Sequence, residues 1–274
     1  MKILGAGDGQ DIIDGIQSYP PHELVLARSV VSFAISYYVI RKRGLPLFGV
    51  NKKWLLIRGV SGTIALTIFF YNIHYLPLAV ASTIQYLSPI FTVIIAIFLL
   101  KERVRAIQWM LIALSFIGVA LIGISKLFDS GLEDEISFFW LGMGVVSALF
   151  SGLAYSAIIK LKATDQPISI VIYFPMVAIP IMSIMCLFEF TFPVGIEWFI
   201  LLTVGIFTQF AQILMTKALH GGATALIMPF KYLGAIYAFL IGFFLFDETL
   251  SYMIDLGIII VLLGVIGNVI LRNR

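Results

Sequence analysis

The chain has 274 residues, of which 61% are hydrophobic and 12% charged, with a mean hydropathy of +1.05. A soluble domain carries about 25% charged residues and an apolar share nearer half, so this composition excludes a soluble globule and defines an integral membrane protein. The net charge of +3 reports orientation rather than a nucleic-acid partner, and the lone cysteine, Cys186, excludes a disulfide framework or a cysteine metal site.

In chain order, residues 1–20 come first and are rich in Gly and Asp (GAGDGQDIIDG), too polar for a spanning helix or a signal peptide. Nine apolar segments follow, at about 24–40, 54–75, 78–100, 106–124, 138–159, 168–188, 198–218, 224–246 and 253–271. A helix needs roughly 17 to 25 such residues to cross about 30 Å of hydrocarbon, and no strand-like alternation is present. The joints are short and carry charge or Gly/Pro signals, as in RKRGLP, KERVR, KLKATDQP and HGGA. The expected fold is an all-α polytopic membrane protein without a soluble domain.

Basic residues fall in alternate joints. One side collects Arg41, Lys42, Arg43, Lys52, Lys53, Arg58, Lys101, Arg103, Arg105, Lys160, Lys162, Lys217, Arg272 and Arg274, which is 14 of 18 Lys+Arg and marks the cytoplasm. The other side collects carboxylates, including those of the acidic loop at 126–137. This predicts a protein of the cytoplasmic membrane with its C-terminus inside. Two basic residues, Arg28 and Lys231, lie within segments and belong to neither side.

The segments repeat. Aligning Glu102 with Glu248 gives an offset of 248 − 102 = 146, which also places Gln85-Tyr86-Leu87 on Lys231-Tyr232-Leu233, Gly59 on Gly205, Gly118 on Gly264 and Pro21 on Pro167. The two glutamates fall on opposite sides, so the halves are inverted, an arrangement that secondary transporters use to alternate access to a site. The predicted organisation is a polar segment at 1–20, a four-helix repeat at 21–125, the loop at 126–137 and a five-helix repeat at 138–274. The first repeat is expected to have its first helix missing or reduced to a polar remnant.

The runs PPHELVLARS, RKRG and IRGVSGTIALTIFFYNIHYLPLAVASTIQYLSPIFTVIIAIFLLKERV closely resemble the first EamA repeat of the drug/metabolite transporter superfamily. MPFKYLGAIYAFLIGFFLFDETL resembles the matching part of the second. The resemblance covers roughly Pro20 to the C-terminus and implies two inverted repeats around a central cavity, usually of ten helices. It is not specific for a substrate.

Polar groups in hydrocarbon are costly and tend to face a bundle interior or a wet cavity. Stripes at helical spacing run through Ser82, Gln85, Pro89 and Thr92, through Gln209, Gln212 and Thr216, through Ser147, Ser151 and Tyr155, and through Thr63, Thr67 and Tyr71 with Asn72 adjacent. The candidate substrate-binding residues are Arg28, Tyr71, Asn72, Gln85, Tyr86, Tyr155, Gln209, Gln212, Lys231 and Tyr232. The competing reading is that amides and hydroxyls tie helices together, at about 0.6 kcal/mol per bond. Lys231, eight residues from Ala223, sits about 12 Å into its segment and suits an anionic group. Arg28 resembles the family's arginine at that place, and pairing with Glu23 is an equal alternative. Gly234, Ala238 and Gly242 form a small-residue packing face, and Glu102 and Glu248 are expected to cap or hinge hairpins.

These observations point to a secondary transporter of small organic metabolites, amino-acid-like or carboxylated, importing or exporting by alternating access. Its partners are that solute and the bilayer, with a second copy of the chain as a candidate. No cofactor or metal is expected. A non-transporting or lipid-handling subunit is the alternative. An embedded enzyme is less favoured, because His22, His74 and His220 are scattered and neither HExxH nor GxSxG occurs; a Walker-type loop is absent too.

Overall fold

The computed structural model describes residues 17–76, 78–101, 103–130, 137–237 and 252–270. The expectations placed on residues 1–16, Glu102, 131–136, Ala238, Gly242 and Glu248 lie outside them. The described residues are helical: α1 (Pro21–Lys42), α2 (Lys52–Tyr75), α3 (Leu78–Gln85), α4 (Ser88–Leu100), α5 (Ala106–Ser130), α6 (Phe138–Leu161), α7 (Pro167–Val171), α8 (Tyr173–Met185), α9 (Glu197–Gly221), α10 (Thr224–Ile227), a 3-10 turn (Met228–Tyr232) and α11 (Tyr252–Ile270). Six stretches are long and apolar enough to cross a membrane: Pro21–Lys42, Lys52–Tyr75, Val80–Leu99, Phe138–Leu161, Pro167–Met185 and Glu197–Gly221. Ala106–Ile122 and Tyr252–Asn268 are shorter apolar helices. The segment expected over 224–246 is described as far as residue 237.

Prolines set several boundaries, since proline is at home in the first helical turn, where its missing N–H costs nothing. Pro21 and Pro167 open α1 and α7 from extended residues Pro20 and Gln166. Element starts recur at the sequence offset: Pro21 and Pro167, Leu78 and Thr224, and Ala106 and Tyr252 are each 146 apart (167 − 21), with Lys52 and Glu197 one residue short.

The chain forms two compact units, unit 1 from Met1–His74 and Leu153–Gly221, and unit 2 from Tyr75–Gly152 and Gly222–Arg274. Each unit holds equivalent helices from both halves. In unit 1, a methyl on Gly59 would stand 2.9 Å from Val177 Cγ2, and one on Gly205 would stand 2.6 Å from Val31 Cβ. Gly59 and Gly205 are repeat equivalents, as are Val31 and Val177, so one contact is made twice.

In unit 2, Gly257 meets Gly118 O and Ile122, while Gly264 meets Leu111 O and Ser115. Positions advance along α11 as they retreat along α5, so these equivalent helices run antiparallel and the repeats are inverted. Glycine lets the two backbones approach to van der Waals distance, and close packing is the main attraction between helices in lipid.

The same equivalence pins both ends of unit 1. Asp165 accepts hydrogen bonds from the N–H groups of Val50 (2.5 Å) and Asn51 (3.1 Å), holding the α1–α2 linker. At the equivalent place, Glu197 accepts from Tyr19 Oη (2.5 Å) and from the N–H groups of Gln17 (2.7 Å) and Val194 (2.6 Å). Burial and then the Glu197 carboxylate push the Tyr19 hydroxyl well above the usual phenol range. Tyr19 also closes an apolar cluster with Leu24, Val25, Phe70, Phe174 and Met182.

Candidate functional site

In unit 2 the polar pairs sit where helices break. α3 ends at Gln85 and α4 begins at Ser88, with the tightened bonds Tyr86 N–H to Thr83 O (3.1 Å) and Leu87 N–H to Ile84 O (3.0 Å) between them. Pro89 has no N–H to give to the Gln85 carbonyl, which is why the helix changes pitch there. The second break lies in the 3-10 turn. Pro229 deprives the Ala225 carbonyl of its helical donor, and Asn268 Nδ2 donates to that oxygen at 2.8 Å. Sequence reasoning passed over Asn268; its signal was an amide inside a helix of otherwise apolar composition.

The break brings Tyr86, Ser88, Lys231 and Tyr232 together. Lys231 Nζ donates to Ser88 Oγ at 2.9 Å. The Tyr86 and Tyr232 rings lie 6.1 Å apart, and the Tyr86 hydroxyl stands 2.9 Å from the point a Cβ on Gly234 would occupy. Tyr232 is fully buried, and its hydroxyl has no hydrogen-bond partner among the described residues. Gln85 is occupied differently: its Nε2 donates to Ser151 Oγ (2.8 Å) and its Oε1 accepts from Ser147 (3.0 Å), tying α3 to α6.

Unit 1 repeats that tie with other residues. Gln209 Nε2 donates to Ser36 Oγ (2.7 Å) while Ser32 Oγ donates to Gln209 Oε1 (2.7 Å), joining α9 to α1 with the amide fully buried. Thr63 and Thr216 return their hydroxyls to the carbonyls of Gly59 (2.9 Å) and Gln212 (2.8 Å) one turn back, so those hydroxyls need no external partner.

The remaining unit 1 candidates differ in their partners. Among the described residues, neither amide atom of the buried Asn72 has a partner, and the buried Gln212 Oε1 has none either. The Tyr71 hydroxyl lies 3.4 Å from His22 Nδ1, and His22 Nε2 lies 2.9 Å from Glu189 O.

Arg28 does not pair with Glu23, whose carboxylate accepts from the Thr191 N–H at 2.9 Å. Its guanidinium lies 5.5 Å from the Phe174 ring centroid instead, within electrostatic reach of Tyr155. Arg58, counted above with the cytoplasmic joints, is 5% exposed inside α2, with its side chain folded over Gly62. The R-x-x-x-G spacing was the signal that could have found it.

This is a helical membrane fold of antiparallel repeats with polar groups at broken helices. Residues 14–124 match the EamA-like transporter family. The pseudopaline exporter CntI of Pseudomonas aeruginosa is 30% identical over 224 residues, 80% of this chain and 75% of that protein. The riboflavin transporter of Vibrio cholerae is 24% identical over 278 residues, covering 97% of this chain and 90% of the relative. Human solute carrier family 35 member G1 is 26% identical over 241 residues, 85% and 66% of the two chains. A protein of known crystal structure, 18% identical, superposes with a TM-score of 0.78 over 92% of this chain and 89% of its own, sharing the fold. The chain belongs to the EamA-like family of the drug/metabolite transporter superfamily. It is a multi-pass integral membrane transporter rather than an enzyme.

Proposed function

We propose that the chain is a secondary transporter of small organic metabolites carrying an anionic group, amino-acid-like or carboxylated, working by alternating access in the cytoplasmic membrane with its C-terminus inside. The observation that carries this is the half-buried Lys231 ammonium, set with Ser88 at the two broken helices of unit 2. Interrupted helices in matching positions of inverted repeats are where such transporters place binding groups, because broken turns expose polar backbone that a continuous helix hides. An ionisable side chain carried in an apolar segment is costly to bury and is characteristic of a solute or ion pathway.

Tyr86 and Tyr232 supply aromatic surface beside the cation. The relatives' names, an exporter of pseudopaline and a transporter of riboflavin, support an organic solute as cargo. Arg28, Tyr71, Asn72, Tyr155 and Gln212 are the unit 1 residues proposed to meet solute during the cycle, with Gln85 and Gln209 holding the helices that carry it.

The test is uptake and efflux of a pooled metabolite library by proteoliposomes. Preferential movement of carboxylated members is expected. Equal movement of neutral and anionic solutes would contradict the anionic assignment, and no movement above protein-free liposomes would contradict transport.

A further inference from the structure

We infer that Arg28 and Arg58 of unit 1 form a carboxylate-binding pair. The inference deepens the transport reading, on which it rests only for the ligand's role as cargo.

Arg28 lies seven residues after Pro21 in α1, and Arg58 six after Lys52 in α2. Consecutive helices run in opposite directions, so the two side chains start from opposite ends of the unit, each about 10 Å in. They nevertheless converge. Arg58 turns along its own helix until Nη1 fills the space a side chain at Gly62 would take, ten residues into the 24-residue α2, and Phe174 Cδ2 lies 3.4 Å from that same point. The Arg28 guanidinium faces the same Phe174 ring at 5.5 Å. Both cations therefore flank one aromatic side chain near mid-helix.

Among the described residues, no carboxylate balances either cation. Arg28 is 7% and Arg58 5% exposed, and the Nε of each is buried without an acceptor. Among the described residues, the charged and titratable groups that act on Arg28 are Tyr155 and Arg58, and the one that acts on Arg58 is Tyr155. Guanidinium stays protonated at any physiological pH, so the pair cannot relieve itself by losing a proton. Two like charges in a desolvated setting are held against repulsion, and a cation–π contact with one ring offsets part of that cost. An anion between them removes it. The planar guanidinium fork matches a carboxylate's two oxygens.

The experiment is thermal unfolding of the purified full-length chain in detergent, with benzoate, its neutral analogue benzamide, or chloride as probe. Benzoate is expected to raise the unfolding temperature saturably, with benzamide and chloride inactive. Arg28→Gln and Arg58→Gln should each weaken the apparent affinity at least tenfold, while Arg41→Gln, which removes a surface charge beside Tyr37, should not. Without anion, Arg58→Gln should unfold at or above the wild-type temperature, because it removes one of two like charges; a purely structural arginine would lower it. Arg58→Lys keeps the charge without the fork and should bind benzoate more weakly than wild type, a comparison that stands by itself if the glutamine variant fails to fold.

No benzoate shift in wild type, equal shifts with chloride, or a shift that survives both glutamine variants would overturn the pair. If benzoate acts through the arginines but no solute moves in proteoliposomes, the transport reading fails and the pair stands. Transport without any benzoate shift leaves transport standing and sinks the pair.

Discussion

Each unit contains a glutamine amide held between two serines one turn apart, Gln209 between Ser32 and Ser36 in unit 1 and Gln85 between Ser147 and Ser151 in unit 2. The charges beside these clamps are treated in opposite ways. Unit 2 gives its lysine a hydroxyl partner at broken helices, whereas unit 1 buries two arginines against one aromatic ring with their Nε atoms unmet. The amides thus share one hydrogen-bonding geometry, while the cations distinguish the units. Polarity inside an apolar helix is therefore a weak sign of function until the partners of each atom are counted.

That contrast can be broken, starting from its frame. A leucine at Gly118 would drive side-chain atoms into the α11 backbone, where a bare Cβ already stands 2.7 Å from Gly257 O and 2.8 Å from Val261 N. Gly118→Leu should cost about 3 kcal/mol or more, read as a large fall in thermal midpoint or loss of the monodisperse protein in detergent. Asn268→Ala should cost about 1–3 kcal/mol, because it strips the Ala225 carbonyl of its donor beside Pro229.

Gln209→Ala should cost about 1 kcal/mol, two interhelical bonds at about 0.6 kcal/mol each, with Gln85→Ala slightly less because that amide is only part-buried. If either alanine variant keeps wild-type stability but loses transport, that glutamine acts on solute and the contrast between clamps and cations fails. The smallest effect belongs to Gly142→Ala in α6. A methyl there meets nothing within 4 Å, so stability should be unchanged or rise by up to about 1 kcal/mol from helix propensity.

Much of the frame was readable from the residues. The offset between Pro21 and Pro167 returned as matched helix starts, because the same proline and joint signals terminate the same helices in both halves. The breaks at Tyr86 and Tyr232 lie beside Pro89 and Pro229, of which sequence reasoning had singled out Pro89. Partner identity was not readable: the serines that occupy Gln85 are 62 and 66 positions away, and those that occupy Gln209 are 173 and 177 away. Arg58 was hidden because proximity to a basic joint and burial by folding back along a helix look alike in one dimension. Asn268 stood out locally as an amide in an apolar run, but the carbonyl it caps, 43 residues away, could not be read from the sequence.

The most direct measurement is solute counterflow in proteoliposomes, with wild-type and Lys231→Ala protein reconstituted side by side at equal density. The expected result is counterflow by the wild type and at least a tenfold lower rate in the variant, with both proteins unfolding at similar temperatures. A Lys231→Ala protein that exchanges solute at the wild-type rate would contradict the claim that the cation at the broken helices carries transport.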